Sequence, residues 1–205
     1  MMVFQSPVTH APTAVKVVLL SGLSDPSCCA LSCSQQQFLD QLVLPRDSKI
    51  YANFPYHSPS KPEQASIPLV LASWRNLSQF LSAGRSPYRE HATAHWASLV
   101  ASCQGLLVIT ISCGLEILNT CLSTGIRPKE IEVLALGPVA WSRPPVSHLL
   151  VRGSRDHVVN PFFRAVDVRL SGVGHLNYLQ NATVIELANE RLKRLCQRVG
   201  TGAIT

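Results

Sequence analysis

The sequence is poor in charge: Asp, Glu, Lys and Arg make up 15% of its 205 residues, against 46% apolar residues. So little charge beside so much apolar surface excludes a largely disordered chain, because burial can offset the ordering entropy. It also has no uninterrupted apolar stretch near the ~18 to 20 residues that cross a bilayer, so no membrane span is expected. Repeats and low-complexity segments are absent, and at roughly 100 to 200 residues per domain the length suits one core. The seven cysteines include no C-x-x-C knuckle, and the histidines form no pair placed to complete a zinc site, so no metal is expected. Their odd number and the adjacent Cys28 and Cys29 argue against a disulfide framework, and Met1–Ala14 lacks a basic segment followed by an apolar one. Reduced thiols and a cytoplasmic location are the expectation.

The charge that is present is lopsided, 18 Lys and Arg against 12 Asp and Glu, for a net +6. Its distribution does not suggest nucleic acid: Arg75, Arg85, Arg89, Arg127, Arg143, Arg152, Arg155, Arg164 and Arg169 are scattered. Only Arg191, Lys193, Arg194 and Arg198 cluster, at a spacing that reads as a solvated helix face. That face leaves room for an acidic carrier protein as a partner, and the basic balance gives a weak preference for anionic ligands.

Residues 1–13, with Pro7 and Pro12, read as a loose leader to a single domain over 14–205. Val15–Leu20 is a short β-branched run ending in the turn-rich Ser21–Pro26, which predicts a buried strand; a helix is expected from about Ser27 to Leu42 and a strand over Ile50–Phe54. Pro55, Pro59, Pro62 and Pro68 break regular structure in the next stretch. From Ser86-Pro87, apolar residues recur at helical spacing to Cys103. Strands are then expected at Leu106–Ile111, Ile131–Leu136, His148–Val151 and Val166–Leu170, with helices at Cys113–Leu122 and Thr183–Arg198. Alternation of this kind predicts an α/β three-layer sandwich around a mostly parallel, roughly six-stranded sheet.

Function in such a sheet sits beyond the carboxyl ends of the strands. Three of these loops carry reactive side chains in order: Thr110-Ile111-Ser112-Cys113-Gly114, then Gly153-Ser154-Arg155-Asp156-His157-Val158-Val159, then Gly172-Val173-Gly174-His175-Leu176-Asn177-Tyr178-Leu179. A Ser on a tight strand-to-helix turn has the next helix's N–H groups behind it, where they can stabilise an oxyanion. His157 is a second candidate base, although neighbours on a turn diverge. Cys113 is a rival nucleophile, since a helix N-terminus lowers a thiol pKa. His91 and His95, at i and i+4 on a helix, read as surface residues.

Over roughly residues 14 to 197 this order and context resemble the α/β-hydrolase family, in which the triad runs Ser, Asp or Glu, His and the Ser sits in a G-x-S-x-G elbow. The resemblance implies Ser112 as nucleophile, His175 as general base and Asp156 as the carboxylate that orients the imidazole. It implies Ser21–Ser24 as the oxyanion loop, with the amides of Leu23 and Cys113 as donors. The chain departs from the pattern at Thr110, where the family's first Gly stands, and lacks the His-Gly pair common in lipases. A short cap insertion is expected at about 56–88, with Ser24, Trp74 and Trp141 in the substrate pocket. The expected activity is cleavage of a small-molecule carboxylic ester or thioester, with no metal or organic cofactor. A catalytically silent hydrolase-like binding protein is the alternative, motivated by Thr110 and the bare oxyanion loop.

Overall fold

The computed structural model describes residues 7–22, 29–54 and 86–201, residues 86–88 by their backbone alone. The chain order is strand β1 (Thr13–Leu20), helix α1 (Cys33–Asp40), a 3₁₀ turn (Arg46–Ser48), β2 (Lys49–Asn53), α2 (Ser86–Ala101), β3 (Cys103–Ile111), α3 (Gly114–Leu122), β4 (Glu130–Leu136), β5 (His148–Gly153), β6 (Val168–Leu170), a second 3₁₀ turn (Tyr178–Gln180) and α4 (Ala182–Val199). The six strands form one sheet in the order β2-β1-β3-β4-β5-β6, and every pair is parallel.

The near-continuous apolar runs of β1, β3 and β4 follow from a sheet covered on both faces. Alternate residues feed two separate cores. Val18, Leu20, Leu106, Val108, Val133 and Ala135 pack with Ala92, Trp96 and Leu99 of α2 and Leu115 and Leu118 of α3. Val17, Leu19, Leu107, Ile109, Leu134 and Leu136 pack with Phe38 and Leu39 of α1 and with Val184, Ala188, Leu192 and Leu195 of α4. The expected three-layer sandwich is therefore the architecture found.

Several boundaries move for local reasons. The helix expected from Ser27 begins at Cys33, because Ser32 and Gln35 form a capping box: the Gln35 amide donates to Ser32 Oγ and the Ser32 amide to Gln35 Oε1. Ala30, short of that cap, instead makes an antiparallel bridge to Ala52. Part of the expected loose leader is tied down, with Lys16 Nζ donating to the Ala11 carbonyl at 2.6 Å and Ser98 Oγ to that of Val8 at 2.6 Å. The expected cap lies outside the described residues apart from the first turn of α2. His95, read as a surface residue, is buried, its ring centroid 4.3 Å from that of His91. Cys33, Cys103, Cys113, Cys121 and Cys196 are free thiols. No helix among the described residues is long and apolar enough to cross a membrane.

The basic stripe on α4 also differs from its expected form. Arg191 and Arg198 turn inward onto Glu132 of β4, a carboxylate only 1% exposed: Arg191 Nη1 lies 2.8 Å from Oε2, Arg198 Nη2 2.5 Å from Oε1, and Ser147 Oγ donates to Oε1 at 3.0 Å. Arg194 pairs with Glu190 one turn back, and Lys193 is exposed. Half of the apparent solvated face thus neutralises a buried charge, which an isolated carboxylate could not survive.

Burial pushes the Glu132 carboxyl up, but the hydrogen bonds from Arg198, Arg191 and Ser147 outweigh it and hold the pKa below the ordinary 4.5. A folded-state pKa below the unfolded one contributes stability above the unfolded value and loses it as pH falls through the folded one. Glu132→Gln, which leaves two arginines facing a neutral group, is expected to lose about 3 kcal/mol in urea unfolding at pH 7. The gap between wild type and variant is expected to narrow as the pH drops below the ordinary carboxylate range.

Candidate active site

The sheet order reverses between β1 and β3, since the connection after β1 leads outward to β2 and the one after β3 leads the opposite way to β4. A crevice opens at such a switch point beyond the carboxyl ends of the strands. Ser21 and Gly22 follow β1 there, and Ser112 follows β3.

Ser112 has a φ of 54°, and among the described residues it is the sole non-glycine with positive φ. The left-handed conformation turns the chain sharply from strand to helix and points the side chain out over the sheet edge. Its backbone is pinned on both sides: its amide donates to the Leu136 carbonyl at 3.1 Å, and its carbonyl accepts from Val139 at 3.1 Å and Leu115 at 3.3 Å. Cys113 is the N-cap of α3 and Gly114 its first residue. A Cβ at position 114 would lie 2.1 Å from the Leu20 carbonyl oxygen, so only glycine lets α3 start this close to β1. Thr110 is fully buried and registers against Leu20, and the turn at Ser112 forms with this branched residue in place.

The loops after β5 and β6 bring Asp156 and His175 to the same edge. His175 Nε2 is 3.0 Å from Ser112 Oγ, and His175 Nδ1 is 2.8 Å from Asp156 Oδ2. An ionised carboxylate only accepts, so Nδ1 carries the imidazole proton and Nε2 is left as an acceptor facing the serine hydroxyl. Asp156 is fully buried. Burial raises its pKa, but hydrogen bonds from His175, Tyr178 and the Val158 amide overcome that and hold it below the usual carboxylate value. The neighbouring His157 is exposed.

Two contributors escaped the sequence reading. Tyr178, three residues after His175, is buried and donates from its hydroxyl to Asp156 Oδ2 at 2.6 Å while accepting from the Gly153 amide at 2.8 Å. A buried Tyr hydroxyl needs a partner, and that was the available signal. Gly137, at the end of β4 with φ 54°, forms the floor: a Cβ there would meet Asp156 Oδ2 at 2.8 Å and Tyr178 Cε2 at 2.8 Å.

Ser112 and His175 open into a cavity of about 240 Å³ whose other walls are Ser21, Gly22 and the capped start of α1, with Ile111, Leu176, Tyr178 and Leu179. The α1 side is polar, through Ser32, Ser34 and Gln35. Trp141 does not line this cavity; it is 72% exposed and stacks edge-on against Phe162, 5.9 Å between centroids. The Cys113 amide lies at the helix start beside Ser112, next to its own thiol sulfur. The Cys113 thiol is buried, and desolvation pushes its pKa up to about 12, which keeps it protonated and works against its role as a nucleophile. Leu23, Ser24 and Trp74 lie outside the described residues.

No family model and no curated protein matches the chain. Among solved structures it is similar to esterase PE8, at TM-score 0.49 and 18% identity over 93% of this chain and 96% of that one. It is also similar to TT1662 from Thermus thermophilus, at 0.48 and 18% over 92% and 91%. A third is ATU1826 from Agrobacterium tumefaciens, a protein of unknown function provisionally assigned to the alpha/beta hydrolases, at 0.43 and 18% over 97% and 90%. Similarities this distant carry no weight for chemistry. The α/β-hydrolase-like character of the fold rests on the chain itself: six parallel strands, helices on both faces, and a left-handed Ser between the third strand and its helix.

Gly137→Ala forces an L side chain into positive φ and drives a methyl group against Asp156 and Tyr178. The expected loss is about 1 to 3 kcal/mol in urea unfolding. The low-field Nδ1 proton resonance of His175 is expected to weaken or vanish as the Asp156 contact opens.

Proposed function

We propose that the chain is a serine hydrolase that cleaves a carboxylic ester or thioester by acyl transfer to Ser112 and then to water. The observation that carries this reading is the unbroken run of contacts from a strained Ser112 through His175 to a buried, ionised Asp156.

In the first step Ser112 Oγ attacks the carbonyl carbon while its proton passes to His175 Nε2. The imidazolium is stabilised by Asp156, which stays ionised. Negative charge develops on the carbonyl oxygen near the Cys113 amide and the start of α3, a preorganised donor that needs no reorientation. Collapse of the tetrahedral species breaks the bond to the alkoxide or thiolate, which takes the proton from Nε2. A water then gives a proton to Nε2, attacks the acyl-Ser112 carbonyl, and the second collapse returns the proton to Oγ. No step requires a cofactor. The polar α1 wall and the apolar Leu176 and Leu179 give the cavity two faces of different chemistry, suited to a small-molecule ester with one polar and one apolar side.

The silent-binding alternative drew on Thr110 in place of glycine, and the positive φ at Ser112 alongside a buried Thr110 favours the enzyme instead. A fluorophosphonate probe separates the two. The expected result is labelling of the wild type that persists in Cys113→Ala and is lost in Ser112→Ala. On p-nitrophenyl esters kcat/KM is expected to fall about 10³-fold or more in Ser112→Ala. Folded wild type that neither labels nor turns over any of a series of esters and acyl-thioesters would sink the reading.

A further inference from the structure

We propose that Tyr178 is a positioning residue of the Ser112–His175–Asp156 array, its hydroxyl fixing the Asp156 carboxylate and sharing the charge that would otherwise fall on His175. This rests on the hydrolase reading for its meaning in turnover, although the geometry stands without it.

Three donors surround the carboxylate. The Val158 amide reaches Oδ1 at 3.0 Å, and His175 Nδ1 and Tyr178 OH both reach Oδ2, at 2.8 and 2.6 Å. The direction of the phenol proton is set from behind, because the Gly153 amide occupies a hydroxyl lone pair at 2.8 Å. With its acceptor capacity met by a backbone amide and its proton directed at Asp156, the hydroxyl has nothing left for a substrate. The ring cannot swing away, since Tyr178 is buried and its Cε2 lies over Gly137. Burial and the hydrogen bond to Asp156 push the phenol pKa well up, so the donor keeps its proton.

Two donors on one oxygen compete for the same negative charge. The phenol therefore holds the carboxylate in plane for His175 and also weakens the attraction between Asp156 and a protonated imidazole. An imidazolium held less tightly gives its proton more readily to the leaving group. Among the described residues, the groups facing His175 are Asp156 from the β5 loop, Tyr178 from its own loop and the hydroxyl of Ser112 from the β3–α3 turn. Gly137 of the β4 loop is uncharged, and the positive charge of Arg152 acts on the Tyr178 phenol. Without the phenol, Asp156 acts on His175 at full strength.

The test is the titration of the His175 imidazole by ¹H–¹⁵N correlation NMR in wild type and Tyr178→Phe. The titration and the acid limb of kcat/KM are expected to move together to higher pH in the variant, with kcat falling more than KM changes. A folded Tyr178→Phe whose His175 titrates as in wild type overturns the proposal, because a merely structural tyrosine would alter stability and leave that titration in place. If Tyr178→Phe does not fold, 3-fluorotyrosine at position 178 keeps the ring and hydroxyl and strengthens the donor. The His175 pKa is then expected to fall, and an unchanged value overturns the proposal equally. The NMR titration requires no turnover, so a protein that shifts as expected but takes no fluorophosphonate label retains the positioning role and loses the hydrolase reading.

Discussion

Everything at the sheet edge depends on how closely helix α3 approaches strand β1. Gly114 lies against the Leu20 carbonyl at a distance no side chain tolerates, and this contact lets the chain reverse from β3 into α3 within two residues. The reversal forces Ser112 into left-handed backbone, at a cost of about 1 to 2 kcal/mol for an L residue. Three backbone hydrogen bonds, to Leu136, Val139 and Leu115, hold it there. The same turn places Cys113 at the start of α3 and seals its thiol in the core, where desolvation keeps it protonated.

A second constraint is the buried charge of Asp156. A fully buried carboxylate is costly unless its lone pairs are met, and here Val158, His175 and Tyr178 meet them. The loops after β4, β5 and β6 are locked together by this requirement: Gly137 beneath, Gly153 behind the phenol, His175 above. Glu132 poses the same problem at the opposite end of β4 and solves it with Arg191 and Arg198, so the sheet carries one satisfied buried carboxylate toward each end. The pair at Glu132 ties α4 to the sheet; the pair at Asp156 faces a cavity and can act on a ligand.

The strands were legible because parallel strands buried on both faces are runs of Val, Leu and Ile, and no other short element of a charge-poor chain looks like them. Ser112, Asp156 and His175 stood out because each follows such a run, and loops at strand ends are where side chains are displayed. The start of α1 was misjudged because the Ser32–Gln35 capping box is a reciprocal side-chain arrangement, weaker in sequence than the Pro and Cys residues before it. Arg191 and Arg198 passed for solvated charges because periodicity gives the face of a helix, and their partner Glu132 is some sixty residues away. His95 was placed on the surface for the same reason.

The sequence by itself determined the parallel α/β architecture, the order of Ser, Asp and His, and the loops that bear them, since apolar periodicity and turn chemistry are local properties of the chain. Only the tertiary structure decided that these three side chains meet, that Thr110 is compatible with the turn at Ser112, and that Tyr178 and Gly137 complete the array. It also pairs two of the basic residues, Arg191 and Arg198, with the buried Glu132, so that the net +6 overstates the unpaired charge α4 presents to a partner. The reason is common to all of these: hydrogen bonds, buried ion pairs and close backbone contacts join residues distant along the chain, and no local pattern encodes the geometry that satisfies them.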